Sequence, residues 1–78
     1  MGNWKESEVR KEAERMGFTF HNRPTAKYRW YLKRAALKGE IRFLTLGQVI
    51  IYLIEIREKK LDWNRVHKDL EENKTYDF

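Results

Sequence analysis

Apolar side chains recur at helical spacing in four stretches of the chain and alternate with polar ones in two short stretches between them. Val9, Ala13 and Met16 form a thin seam within residues 4–16, a spacing that predicts a helix with one buried side. Asn3 with Glu6 three positions on reads as a capping box, and Gly17 supplies the left-handed residue that ends a helix. The pairs Glu6–Arg10 and Glu12–Arg15 support the same helix from its solvated side. Phe18-Thr19-Phe20-His21 and Glu40-Ile41-Arg42-Phe43-Leu44 alternate in the manner of strands.

Residues 23–42, RPTAKYRWYLKRAALKGEIR, are the stretch around which the rest is expected to assemble. Pro24 suits a first helical turn, where its missing N–H has no intrahelical partner to lose. Ala26, Leu32, Ala35, Ala36, Leu37 and the interspersed Lys and Arg residues are good helix formers, and Gly39 is placed to end the run. At about 100° per residue, Tyr28, Tyr31, Leu32, Ala35 and Ala36 share one face, while Ala26, Trp30 and Leu37 form a second apolar strip. Two apolar strips predict a central helix packed on both sides. Trp30 then has two readings: a core residue, or an indole left between basic stripes to stack on a base.

Thr45 and Gln48 form a second capping box, with Leu44 and Val49 as its hydrophobic staple. The helix that follows, over residues 46–60, turns Leu46, Val49, Ile50, Leu53 and Ile54 inward. A rival reading comes from Val49-Ile50-Ile51-Tyr52, a run of strand formers. It would make a hairpin about Leu46-Gly47 and a winged-helix-like domain. Asp62 caps a last helix over 63–72, with Trp63, Val66 and Leu70 inward and Asp69 towards solvent. Residues 73–78 are polar enough to fray unless Tyr76 or Phe78 docks. The fold expected is therefore mostly α. It is a single small domain, 1–78, of four helices at 4–16, 24–38, 46–60 and 63–72, with room for a two-stranded parallel pairing of 18–21 with 41–44.

Length limits what this core can do. A chain of 78 residues buries only about 60–65% of its unfolded surface, so stability is modest. The chain has no cysteine, which excludes disulfides and thiolate zinc sites and fits a reducing cytoplasm. MGNWKESEV lacks the apolar run of a signal peptide. The most apolar stretch, Phe43–Ile56, is shorter than the about 20 residues that span a bilayer, so no membrane partner is expected.

Charge sharpens the picture. Residues 23–42 hold Arg23, Lys27, Arg29, Lys33, Arg34, Lys38 and Arg42 against one acid, Glu40, in a chain whose net charge is +5. Such a concentration points to a polyanionic partner. His21 and His67 are far apart and have no HxxxH spacing, so neither a metal nor any other cofactor is expected. Asp62, Glu72 and Lys74 superficially match the charged clusters of metal-dependent nucleases, but on a helix and tail they would hold no ion with precision. A metal-independent RNase would need Tyr28, Arg34 and His21 to converge on a phosphate, and nothing in their spacing demands it.

The run Tyr28-x-x-Tyr31, Ala35-x-x-Lys38-Gly39-x-Ile41-x-Phe43-Leu44-Thr45, Val49 and Leu53 resembles the helix–strand–helix lead-in of small bacteriophage HNH endonucleases. It covers residues 28–53. The cysteine pairs and the His-Asn-His module of that family have no counterpart here, and no catalytic residue carries over. The resemblance implies a phage or mobile-element origin and a nucleic-acid-facing helix without the nuclease. The function expected is non-enzymatic binding of DNA or RNA through Arg23, Lys27, Arg34, Lys38 and Arg42, with Trp30 as a stacking surface. The alternative is a small inhibitor or adaptor that presents the same basic, aromatic surface to a host nucleic-acid-handling enzyme.

Overall fold

The computed structural model describes residues 4–76. Helix α1 (Glu6–Arg15) leads into strand β1 (Phe18–Asn22), and a loop connects it to β2 (Trp30–Arg34) and then β3 (Ile41–Phe43). Helices α2 (Leu46–Arg57) and α3 (Trp63–Glu71) follow, and the short strand β4 (Thr75–Tyr76) closes the described chain. The four strands form one sheet in the order β1-β2-β3-β4. β1 and β2 are antiparallel, as are β2 and β3, whereas β4 lies parallel to β3.

This architecture corrects the four-helix expectation. The stretch 24–38 is not a helix: it is an irregular loop, the strand β2 and the turn that follows. Its good helix formers were outweighed by position. β2 sits between two strands, pairing Trp30 with Asn22 on one side and with Phe43 on the other. That gives its backbone non-local hydrogen-bond partners no local propensity can foresee. Without a crossover helix, the parallel pairing of 18–21 with 41–44 also falls, because β2 lies between those strands. The helix–strand–helix order read for residues 28–53 is replaced by β2, β3 and most of α2. The hairpin about Leu46-Gly47, and the winged form with it, is replaced by α2.

Where the signal was local, the elements stand close to expectation. Thr45 Oγ1 accepts from the Gln48 backbone N–H at 3.2 Å, and Gln48 Oε1 accepts from Thr45 N at 3.2 Å. Asp62 Oδ1 accepts from Arg65 N at 2.9 Å and starts α3. Gly17 follows α1 with φ of 90°. Asn3 lies outside the described residues. The box at this helix start is instead made by Glu8, whose Oε1 accepts from Lys5 N at 3.0 Å.

Parity along the strands decides what is inside. Phe18, Phe20, Trp30, Leu32, Ile41 and Phe43 point to one face and join Val9, Ala13, Val49, Leu53, Val66 and Leu70 in a single core cluster. All three helices therefore cover the same face of the sheet. Trp30 is 8% exposed and stacks on Phe20 with ring centroids 5.5 Å apart. It belongs to the core.

The end of the chain is not frayed as far as Tyr76. Arg42 N donates to Lys74 O and Leu44 N to Tyr76 O, which stitches β4 to β3. The Tyr76 ring stacks on Phe43 at 5.3 Å. Its hydroxyl donates to Asp69 Oδ2 at 2.9 Å, as does that of Tyr52. Arg65 Nε completes the set by donating to Asp69 Oδ1 at 3.1 Å. Asp69, expected towards solvent, is 1% exposed, and three donors offset the cost of burying its charge. Burial and the Asp69 contact both push the phenols of Tyr52 and Tyr76 well above the ordinary tyrosine range. Gly39 is needed for a related reason. Its φ is 94° and a Cβ there would collide with the Leu70 carbonyl, so α3 packs directly on this backbone.

Candidate nucleic-acid interface

With the helices on one side, no helix or strand of the described residues covers the other face of the sheet. Strand alternation sends Thr19 and His21 of β1, Tyr31 and Lys33 of β2, and Arg42 of β3 to that face. Register makes them neighbours: Thr19 lies opposite Lys33, His21 opposite Tyr31, and Tyr31 opposite Arg42. Thr19 and Lys33 are exposed, and His21, Tyr31 and Arg42 are half-buried by one another.

The centre of the face is an aromatic and guanidinium cluster. The rings of His21 and Tyr31 stack with centroids 4.7 Å apart. Arg23, just past the end of β1, lays its guanidinium 3.9 Å from the Tyr31 ring centre. The same guanidinium donates twice to Glu40, at 3.0 and 3.1 Å. Glu40 also accepts from Arg42 Nε at 2.6 Å. One buried carboxylate thus holds two arginines from different parts of the chain in fixed positions. Burial works against the Glu40 charge, but the hydrogen bonds from Arg42 and Arg23 outweigh it and keep the carboxyl below its usual range.

The surrounding cations that favour the charged form of Glu40 disfavour that of His21. Partial burial, then the charges of Lys33, Arg10 and Arg23, lower its pKa from the ordinary 6.5. Its Nε2 lies 3.0 Å from Thr19 Oγ1. The imidazole is therefore neutral at pH 7 and available as a hydrogen-bonding group on a cationic surface.

The six residues expected to bind do not share one surface. Arg23 and Arg42 meet through Glu40 on the open face. Lys27 is exposed in the β1–β2 loop, and Lys38 is exposed in the β2–β3 loop. Arg34 has the parity of Trp30 and Leu32 and turns to the helical side. There it donates to Met16 O at 3.2 Å and lies 4.5 Å from the Trp63 ring centre. It is a packing residue at the rim of the core. Trp30 is withdrawn into the core and contacts Arg29 from outside at 4.9 Å. Tyr28, Arg34 and His21 do not converge, because the loop, the helical side and the open face each take one.

Sequence reasoning missed Tyr31 and Lys33 as surface residues of one face, and missed Glu40 altogether. The signals were present. Trp30-Tyr31-Leu32-Lys33 alternates in-out-in-out, and Glu40 is the single acid among seven bases, where a structural partner for two of them is the economical explanation. Among the described residues, no three His, Asp or Glu side chains are grouped to hold a metal ion, and no helix is long and apolar enough to cross a membrane. Comparison with known protein families, with curated proteins and with solved structures finds no match.

Proposed function

We propose that this protein is a non-enzymatic nucleic-acid-binding module that works through the open face of its sheet and the adjoining β1–β2 loop. The observation that carries this reading is the run from Phe18 to Lys33: four Lys or Arg residues and no acid, folded as β1, its loop and most of β2 with one face open. Arg23, Lys27 and Arg29 supply phosphate contacts, and Arg42 extends them across β3. Glu40 holds Arg23 and Arg42 in place before binding, so little side-chain entropy remains to be lost when a phosphate arrives. Phosphate contacts of this kind fix position and carry little sequence information.

Salt dependence tests it. Binding to B-form DNA should weaken with a log–log slope of about −0.9 for each phosphate neutralised. Lys27→Glu should make that slope shallower and leave the circular dichroism spectrum unchanged, since the side chain is exposed. A folded wild type that binds neither DNA nor RNA at low salt would overturn the proposal and assign the face to a protein partner.

A further inference from the structure

Resting on that reading, we propose that the preferred ligand is duplex DNA, with the β1–β2 ribbon seated in the major groove. The first argument is what the open face lacks. Binding of single strands relies on aromatic faces free to stack on bases. Here Trp30 is buried against Phe20, and the Tyr31 ring is already occupied by His21 and Arg23. What remains outward is a set of hydrogen-bonding tips: Thr19, His21, Lys33 and Arg42.

The second argument is shape. Two strands lie about 4.8 Å apart, and with their side chains they match a groove about 12 Å wide that admits a two-stranded ribbon. Among the described residues β1 is an edge strand, so on that side no further strand meets the phosphate wall, while β3 flanks the ribbon on the other side. Five residues per strand reach about 17 Å at about 3.4 Å each, which covers about five base-pair steps.

The third argument is where charge sits relative to that ribbon. Lys27 and Arg29 lie in the loop at its end, towards one backbone. Arg42 lies on the third strand, towards the other. Lys33 and His21 lie between them and face the groove floor, where purine N7 and guanine O6 accept hydrogen bonds. The loop is braced for this use: Arg23 N donates to Arg29 O at 2.6 Å, and Arg29 Nε donates to Asn22 Oδ1 at 3.0 Å. The deep, narrow major groove of an RNA duplex would refuse the same ribbon.

The test is selection of the intact protein against a random-sequence DNA duplex pool, followed by fluorescence anisotropy on the enriched duplex. Replacing its purines with 7-deazapurines removes major-groove acceptors and leaves the backbone unchanged. We expect that replacement to weaken binding by about ten-fold or more, and a minor-groove competitor to have little effect. Lys33→Ala should flatten the difference between enriched and random duplex, whereas Lys27→Ala should weaken both alike. Single-stranded DNA or RNA duplex bound as tightly as DNA duplex, or indifference to 7-deazapurines, would overturn the groove assignment while nucleic-acid binding itself survives. Failure to bind any nucleic acid would remove both.

Discussion

The two faces of this sheet are written by alternate residues of the same strands, yet they do different work. On the covered face, Phe18, Phe20, Trp30, Leu32, Ile41 and Phe43 are buried and in contact with all three helices. On the bare face, Thr19, His21, Tyr31, Lys33 and Arg42 meet each other and solvent. Because the side-chain period of a strand is two, the packing of one face and the surface chemistry of the other can vary independently position by position. Tyr31 and Trp30 are adjacent aromatics, but only Trp30 should matter greatly to folding. A one-residue slip in β2 would exchange the faces and lose both properties.

The comparison is broken most severely from the covered side. Trp30→Ala should cost about 3–5 kcal/mol, read by urea denaturation, and in so small a domain that can abolish the folded state. An exposed, stacking Trp30 would instead leave stability nearly unchanged. Deleting residues 75–78 comes next, with an expected loss of about 2–4 kcal/mol. It removes the Tyr76 ring from Phe43 and one donor from buried Asp69. Tyr76→Phe separates these contributions and should cost about 1–3 kcal/mol through the hydroxyl alone. A truncated chain as stable as the full one would show that β4 contributes nothing. Thr45→Ala should cost about 1 kcal/mol by removing the α2 cap.

The smallest effect on stability belongs to the bare face, and pH reveals it. The Glu40 carboxyl is held below its unfolded value, so its contribution is complete above the ordinary carboxylate pKa and is lost as pH falls through the folded one. His21, also lowered, contributes fully above about 6.5 and loses that contribution as pH falls towards its folded value. Stability should therefore decline in two steps on acidification. His21→Gln should remove the upper step and Glu40→Gln the lower. An unchanged acid profile in Glu40→Gln would mean that the arginine clamp does not form in solution.

How much could be read beforehand depended on the range of the interaction. The second and third helices were legible because Thr45–Gln48 and Asp62–Arg65 close their hydrogen bonds within three residues. The basic stretch was legible as a concentration of charge, but a helix through it, at about 100° per residue, turns Arg34 to the same side as Arg23 and Lys38. In a strand Arg34 takes the opposite parity to Lys33 and serves the core rim. Asp69 looked solvated because its partners, Tyr52 and Tyr76, are 17 and 7 positions away.

The sequence by itself determined the caps of α2 and α3, the helices α1 to α3 within a few residues, the strand character of 18–21 and 41–44, and the location of the positive charge. Each depends on side chains acting on their own few neighbours. Only the tertiary structure decided that residues 30–34 form the strand between β1 and β3, that Glu40 clamps Arg23 to Arg42, and that Tyr76 returns to the sheet. The physical reason lies in Leu32, Lys33, Arg34, Ala35 and Ala36, whose local preference favours a helix by only tenths of a kcal/mol per residue. Two flanking strands and an apolar helical layer offer Trp30 and Leu32 several times that on burial.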